Sequence, residues 1–166
     1  MVEQVDDEGP VFEPTYDAWY GVPSMPRVNL ANPEARRYML DVTTHWVREY
    51  DIDGWRMDVT RYVDLDFWND FRRAVKSVKP DCYLVAEVMG DARRWLQGDR
   101  FDATMNYTFR ELCVDYFAAG RIETGRFLDG MTRMLAMYSP AVAGVNFNLL
   151  SSHDTPSFPA WWNGND

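Results

Sequence analysis

Two short strand-like runs each carry an acid near their carboxyl end, and the segment between them has the period of a helix. Trp55 to Val59 reads as a strand bearing Arg56 and Asp58, and Cys82 to Val88 is almost continuously apolar until Glu87. Between them, from Asp64, the residues Phe67, Trp68, Phe71, Ala74, Val75 and Val78 recur at helical spacing, and Pro80 closes the helix. A continuously apolar strand belongs in a parallel sheet covered by helices on its outer side. Asp58 and Glu87 stand 29 residues apart, the length of one strand and helix unit. Units in such a series are joined by right-handed crossovers and run parallel.

The remaining chain extends the alternation. Asn32-Pro33-Glu34 supplies an N-cap, a proline at the first helical position and an early acid, and predicts a helix to about Tyr50. A short helix is expected around Asp91 to Leu96, a strand over Phe101 to Met105, and a helix opened by the capping-box pattern Thr108-x-x-Glu111. Gly120 ends that helix, and a second helical stretch, Thr124 to Tyr138, stops at Ser139-Pro140. A last strand, Gly144 to Leu150, leads into Ser151-Ser152-His153-Asp154. Residues 1 to 31, rich in Pro, Gly, acids and aromatics without a period, read as a long loop. The pattern fits either an open doubly wound sheet or a (β/α) barrel. No Gly-x-Gly-x-x-Gly and no Gly-x-x-x-x-Gly-Lys-Ser/Thr occurs, which weighs against an open nucleotide-binding sheet.

The 166 residues are 46% hydrophobic and 26% charged, enough for one buried core. Apolar runs fall far short of the ~20 residues that cross a bilayer, so no membrane association is expected. Net charge is −9, and the first 26 residues hold six acids and no Lys or Arg. Basic residues are scattered among acids, unlike the clusters that bind nucleic acid, so a neutral substrate is expected and nucleic acid is not. The opening residues lack the basic start and apolar run of an export signal, which makes the cytoplasm the expected location. Cys82 and Cys113 show no metal-site or redox spacing and read as packed, reduced thiols.

Three carboxyl groups recur where strands end: Asp58, Glu87 and Asp154. Barrel enzymes place their active sites at that rim. Arg56 and Asp58, two apart on a strand, share a face. Beside Arg56, Asp58 is expected to stay ionised, whereas partial burial of Glu87 after Tyr83-Leu84-Val85-Ala86 would favour its protonated form. One charged and one protonated carboxyl is the arrangement of retaining glycoside cleavage. Asp51, Asp53, Asp64, Asp91, Asp99 and Asp102 read as caps or solvated turns. Adjacent Ser152, His153 and Asp154 do not spell a hydrolase triad, whose members meet from distant parts of a chain. Trp19, Tyr20, Tyr107, Trp161 and Trp162 are aromatics able to stack on sugar faces, although packing is their commoner use.

Gly54-Trp55-Arg56-Met57-Asp58-Val59, Ala86-Glu87-Val88 and Asn148-Leu149-Leu150-Ser151-Ser152-His153-Asp154-Thr155-Pro156 resemble three ordered motifs of the α-amylase family of glycoside hydrolases. Met25-Pro26-Arg27-Val28-Asn29 and Phe101-Asp102-Ala103-Thr104-Met105-Asn106-Tyr107 resemble its neopullulanase, cyclomaltodextrinase and maltogenic amylase branch. The resemblance implies a nucleophile at Asp58, an acid/base at Glu87 and a sugar-binding carboxylate at Asp154. It also implies that Arg56 orients the nucleophile and that His153 hydrogen-bonds the same sugar. The implied reaction is retaining hydrolysis or transfer of α-1,4 or α-1,6 glucosidic bonds in a maltooligosaccharide or other α-glucan. No cofactor is expected, and although calcium is common elsewhere in the family, the sequence shows no ligand set for it, so no metal is expected either. Arg61-Tyr62 stands where that branch usually has Asn-Glu, Met89-Gly90 where it often has Trp-His, and Ser157 where Arg often follows His-Asp-Thr-Pro. The family's first motif has no counterpart.

A full barrel needs ~250 residues, so about four strands fit in this chain. The fold expected is α/β, an incomplete (β/α)8 TIM barrel of about four parallel strands with flanking helices. Residues 1–31 would be a loop or a remnant of a domain inserted in the barrel, 32–156 the partial barrel, and 157–166 a divergent tail. An unclosed barrel exposes two strand edges, which favours self-association or association with a missing barrel half. Two alternatives to a working glycosidase segment follow: a noncatalytic glucan-binding or barrel-assembly piece, and a truncated inactive product.

Overall fold

The computed structural model of the protein describes residues 3–6, 9–12 and 15–161. The chain divides into two compact units, Met1–Met39 and Leu40–Asp166. In the first, β1 (Glu3–Asp6) and β2 (Gly9–Phe12) form an antiparallel ribbon in which Glu3 faces Phe12 and Asp6 faces Gly9. The sequence reads as loop there because Gly9-Pro10 looks like a breaker. Proline is nevertheless accommodated at an edge, where its missing N–H costs no ladder bond.

Helix α1 (Pro33–Tyr50) starts as expected: the Asn32 side-chain oxygen accepts from the Glu34 and Ala35 amides at 2.8 and 3.2 Å, and Pro33 holds the first helical position.

The second unit is built on β3 (Gly54–Met57), β4 (Tyr83–Ala86), β5 (Ala103–Asn106) and β6 (Phe147–Asn148). All three pairings are parallel, and the sheet order β3-β4-β5-β6 follows the chain. A doubly wound sheet reverses direction at a switch point, whereas this winding steps always the same way, as successive units of a (β/α) barrel do. Gly54 is required by its neighbour, because a Cβ there would stand 2.3 Å from the Tyr83 carbonyl oxygen.

Helix α2 (Leu65–Val78) crosses from β3 to β4 and buries Phe67, Trp68, Phe71 and Val75. Trp68 packs edge-on against Phe71 and Phe101 at ring separations of 5.6 and 5.0 Å. The 91–96 segment is a single 3-10 turn, Arg93–Trp95. Helix α3 (Tyr107–Cys113) departs from expectation at its start: Asn106, not Thr108, is the cap, its side chain accepting from the Phe109 amide. The helix continues as a π turn, Val114–Ala118. After α4 (Thr124–Ala136), Ser139-Pro140 does more than terminate a helix. Ser139 caps α5 (Pro140–Val145), with proline at the first position, and this shortens the expected last strand to two residues.

Asp102 is neither a cap nor a solvated turn. Its carboxylate accepts from Arg72 Nη1 at 2.8 Å, Lys76 Nζ at 3.0 Å and the Leu84 amide at 3.0 Å, tying α2 to the sheet. Burial opposes its charge, but the Arg72, Lys76 and Leu84 hydrogen bonds outweigh burial and hold the carboxyl below its usual range. Asp51 and Asp53 pair with Lys79, and Asp91 pairs with Arg93, at the surface. Cys82 and Cys113 are buried and unbridged, and burial pushes both thiols up. Among the described residues no helix is long and apolar enough to cross a membrane.

Asp102→Asn leaves Arg72 and Lys76 short of a counter-charge and should cost about 3 kcal/mol in urea unfolding at neutral pH. Because the folded-state carboxyl titrates below its unfolded value, the contribution is complete above the ordinary carboxylate range and lost as pH falls through the lower, folded value. The difference between parent and variant should therefore shrink under acid conditions; a pH-independent difference would contradict the ionic origin.

Candidate active site

Parallel pairing brings the carboxyl ends of β3, β4 and β6 to one rim, and each is followed by one of the three acids singled out in the sequence. Arg56, on β3, links them. Its Nη1 donates to the Asp58 carboxylate, and its Nη2 lies 3.8 Å from Glu87 Oε1 and 3.8 Å from Asp154 Oδ2. Nε points to Met105 Sδ at 3.3 Å, which lays the guanidinium across β4 toward β5. At 3.8 Å the two Nη2 contacts are ion pairs rather than hydrogen bonds. Nη2 is buried without a hydrogen-bond partner.

The acids differ in exposure: the Asp58 side chain is 68% exposed, Asp154 37% and Glu87 15%. Asp58 is open to an incoming molecule, while Glu87 is held by the protein. The Val59 amide donates to Glu87 Oε2 at 2.6 Å, and the Glu87 amide donates to the Met57 carbonyl and to Thr60 Oγ1, both at 3.0 Å. His153 is exposed, with Nε2 3.4 Å from Asp154 Oδ2. All five sequence-chosen residues, Arg56, Asp58, Glu87, His153 and Asp154, thus join one cluster.

The loop carrying His153 and Asp154 is fixed by α3. Arg110, buried, donates from Nη2 to the Pro156 carbonyl at 2.8 Å, and the Tyr107 hydroxyl lies 3.2 Å from Ser152 Oγ. Ser152 Oγ in turn accepts from the Asp154 amide at 3.3 Å. Asn106 donates to Asn148 Oδ1 at 2.8 Å, joining β5 to β6 below the loop.

Tyr107 is therefore a core residue packed with Val85, Met105 and Leu149, not a surface on which a sugar stacks. Trp19 and Tyr20 lie in the first unit, edge to face at 4.8 Å. Arg121 sits over the Trp161 ring at 4.9 Å, and Trp162 lies outside the described residues, as does the rest of the expected 157–166 tail beyond residue 161. Arg61 donates to the Met89 and Asp91 carbonyls at 2.8 and 3.3 Å and lies over the Trp95 ring at 5.1 Å. It thereby holds the segment that follows Glu87.

Sequence reasoning passed over Thr60, Thr104, Asn106 and Arg110. Thr104 and Asn106 carried a signal only as members of the Phe101 to Tyr107 stretch that resembles the branch, and Thr60 and Arg110 carried none beyond being polar residues beside apolar neighbours.

Residues 12–166 match the family model of the α-amylase catalytic domain. The chain belongs to the α-amylase family. It is 48% identical over 143 residues to a cyclomaltodextrinase of Geobacillus thermopakistaniensis, a match that covers 86% of this chain and 24% of the relative. It is 44% identical over 146 residues to an intracellular maltogenic amylase of Bacillus subtilis, covering 88% and 25%. A solved cyclomaltodextrinase superposes with a TM-score of 0.87 at 40% identity, over 92% of this chain and 26% of that one. These names fall in the branch that the sequence motifs resemble. The chain spans about a quarter of the length of these α-amylase family relatives.

Arg110→Met keeps the length of the side chain but removes the bond to Pro156, a charged hydrogen bond worth about 2 kcal/mol. Amide exchange at Asp154 and Thr155 should accelerate by roughly the corresponding 30-fold, with exchange in α2 unchanged; uniform acceleration across both regions would refute a local clamp.

Proposed function

We propose that this chain carries the reacting carboxylates of a retaining α-glucan hydrolase, with Asp58 as nucleophile, Glu87 as acid/base and Asp154 as a ligand for sugar hydroxyls. The observation that carries the reading is the single Arg56 guanidinium set among all three acids at the carboxyl rim of the sheet. Charge balance supports the division of labour. One cation among three carboxyls leaves an anionic site able to stabilise the positive charge that grows on the sugar ring.

In the first step Glu87 gives its proton to the glycosidic oxygen as the bond from that oxygen to C1 breaks, and an Asp58 oxygen closes an ester on C1. In the second, water gives a proton to Glu87 while its oxygen attacks C1 and Asp58 leaves as carboxylate. Two inversions give net retention. Arg56 keeps the Asp58 carboxylate oriented, and His153 with Asp154 binds the same sugar. A maltooligosaccharide or other α-glucan is the substrate class, in keeping with the relatives' names, and water or a second sugar is the acceptor. Arg61-Tyr62 and Met89-Gly90 stand in place of the branch's usual Asn-Glu and Trp-His, so the branch's acceptor preference is not carried over to this chain. We place the protein in the cytoplasm, a reading supported by the name of the Bacillus subtilis relative, which calls that enzyme intracellular.

A second reading has its own observation: β3 and β6 are the outer strands of the sheet among the described residues. It makes the chain a noncatalytic glucan-binding or barrel-assembly piece that associates with itself or with a complementary barrel segment. An inactive truncated product is the limiting case.

The test is release of phenol from phenyl α-maltoside, whose leaving group needs a proton, by the chain, alone and with the complementary barrel segment of a relative. Asp58→Asn should abolish release, and Glu87→Gln should slow it by about 100-fold or more. Equal release by parent and both variants would overturn the roles. Concentration-dependent self-association in sedimentation, with glucan binding kept in Glu87→Gln and no turnover, would favour the second reading.

A further inference from the structure

We infer that Val59 and Thr60, immediately after Asp58, are positioning residues that decide which oxygen of Glu87 carries the catalytic proton. The inference rests on the reading of Glu87 as the acid/base.

Val59 has φ +50°, the left-handed region that a β-branched residue rarely adopts. Strain of this kind persists where surrounding structure over-determines it, and here it has a visible product: the turn aims the Val59 amide at Glu87 Oε2, 2.6 Å away. A main-chain N–H only donates. In the carboxylate the bond is charge-assisted, and in the acid the better acceptor is the carbonyl-type oxygen. Oε2 therefore remains the acceptor in both forms, and the proton resides on Oε1. Oε1 is the oxygen that faces Arg56 Nη2, which in turn lies against Asp154. The charged and titratable side chains of the cluster are Arg56, Asp58, His153 and Asp154.

The main chain at Glu87 is held as firmly as its carboxyl. Thr60 Oγ1 accepts from the Glu87 amide and donates to the Met57 carbonyl at 2.8 Å, while Trp68 Nε1 donates to the Thr60 carbonyl at 3.1 Å. From the other side Thr104 Oγ1 lies 3.0 Å from the Ala86 carbonyl and 3.3 Å from that of Val88, the residues flanking Glu87. Both threonines are shut off from solvent. Proton donation then runs from Oε1 to the glycosidic oxygen and proton return from water to Oε1, with Oε2 bonded to Val59 throughout.

Two experiments test this. In NMR of the labelled chain, a scalar coupling across the hydrogen bond should connect the Val59 amide nitrogen to the Glu87 carboxyl carbon. The Val59 amide proton should move strongly upfield in Glu87→Ala and hold its place in Asp154→Ala. No coupling, and an amide indifferent to Glu87→Ala, would overturn the inference. In kcat/KM, which reports the first step alone, Thr60→Val should slow phenyl α-maltoside, whose leaving group needs a proton, by about 10-fold or more, and leave dinitrophenyl α-maltoside nearly unchanged. Thr60→Ser should restore the phenyl rate. An equal loss on both substrates, or no rescue by serine, would reduce Thr60 to a structural residue and overturn its part. Should the parent chain hydrolyse neither substrate, the proposed activity of the chain fails while the NMR result still decides the hydrogen bond.

Discussion

Parallel pairing of β3 with β4 is the constraint from which the site follows. With Met57 opposite Ala86, the next residue on one strand is Asp58 and on the other Glu87, so register alone sets the two acids side by side. A shift of one residue would send one acid to the helix side of the sheet. The register is protected where slippage would begin. Gly54 lets the β4 backbone approach too closely for any side chain, and the Glu87 amide bonds back to the Met57 carbonyl at the strand's far end.

Having brought carboxylates together, the fold must offset their repulsion, and it does so with one cation from the same sheet face. Arg56 reaches Asp58 directly and stands between Glu87 and Asp154, while its Nε contact with Met105 fixes the plane of the guanidinium. A lysine would supply the charge but not the planar fork that serves several acceptors at once. The opposite face shows the same chemistry used for another end. Asp102, with Arg72, Lys76 and the Leu84 amide, spends three hydrogen bonds inside the protein tying α2 to the sheet. Asp58, largely exposed, keeps its outer side free.

What the sequence disclosed about this chain was whatever depends on period and spacing. The α1 and α2 faces, the alternation of strand and helix, and the acids at strand ends are all local patterns, and the structure assembles Arg56, Asp58, Glu87, His153 and Asp154 into one cluster. What stayed hidden depends on three-dimensional partners. Asn106 outcompetes Thr108 as a cap because the strand delivers its side chain to the Phe109 amide. Ser139-Pro140 spells both the end of one helix and the start of the next, and only packing decides that α5 forms. Asp102 looked like any turn acid until α2 brought two cations to it. The left-handed turn at Val59 was the least legible feature, since valine is among the residues least expected there.

That illegibility has a physical meaning. A glycine at position 59 would reach the same backbone angles without strain, but it would also leave them as easily. Valine in a left-handed turn, locked between Asp58 and the buried Thr60, confines the amide beside Glu87 to one direction, because relaxing the turn would break the Thr60 bonds to Met57 and Glu87 and the Trp68 bond to Thr60. The local cost is borne by burial that α2 supplies through Trp68 and Phe71. Core packing on one side of the sheet and donor placement on the other are therefore a single mechanical system, joined through the indole bond to Thr60.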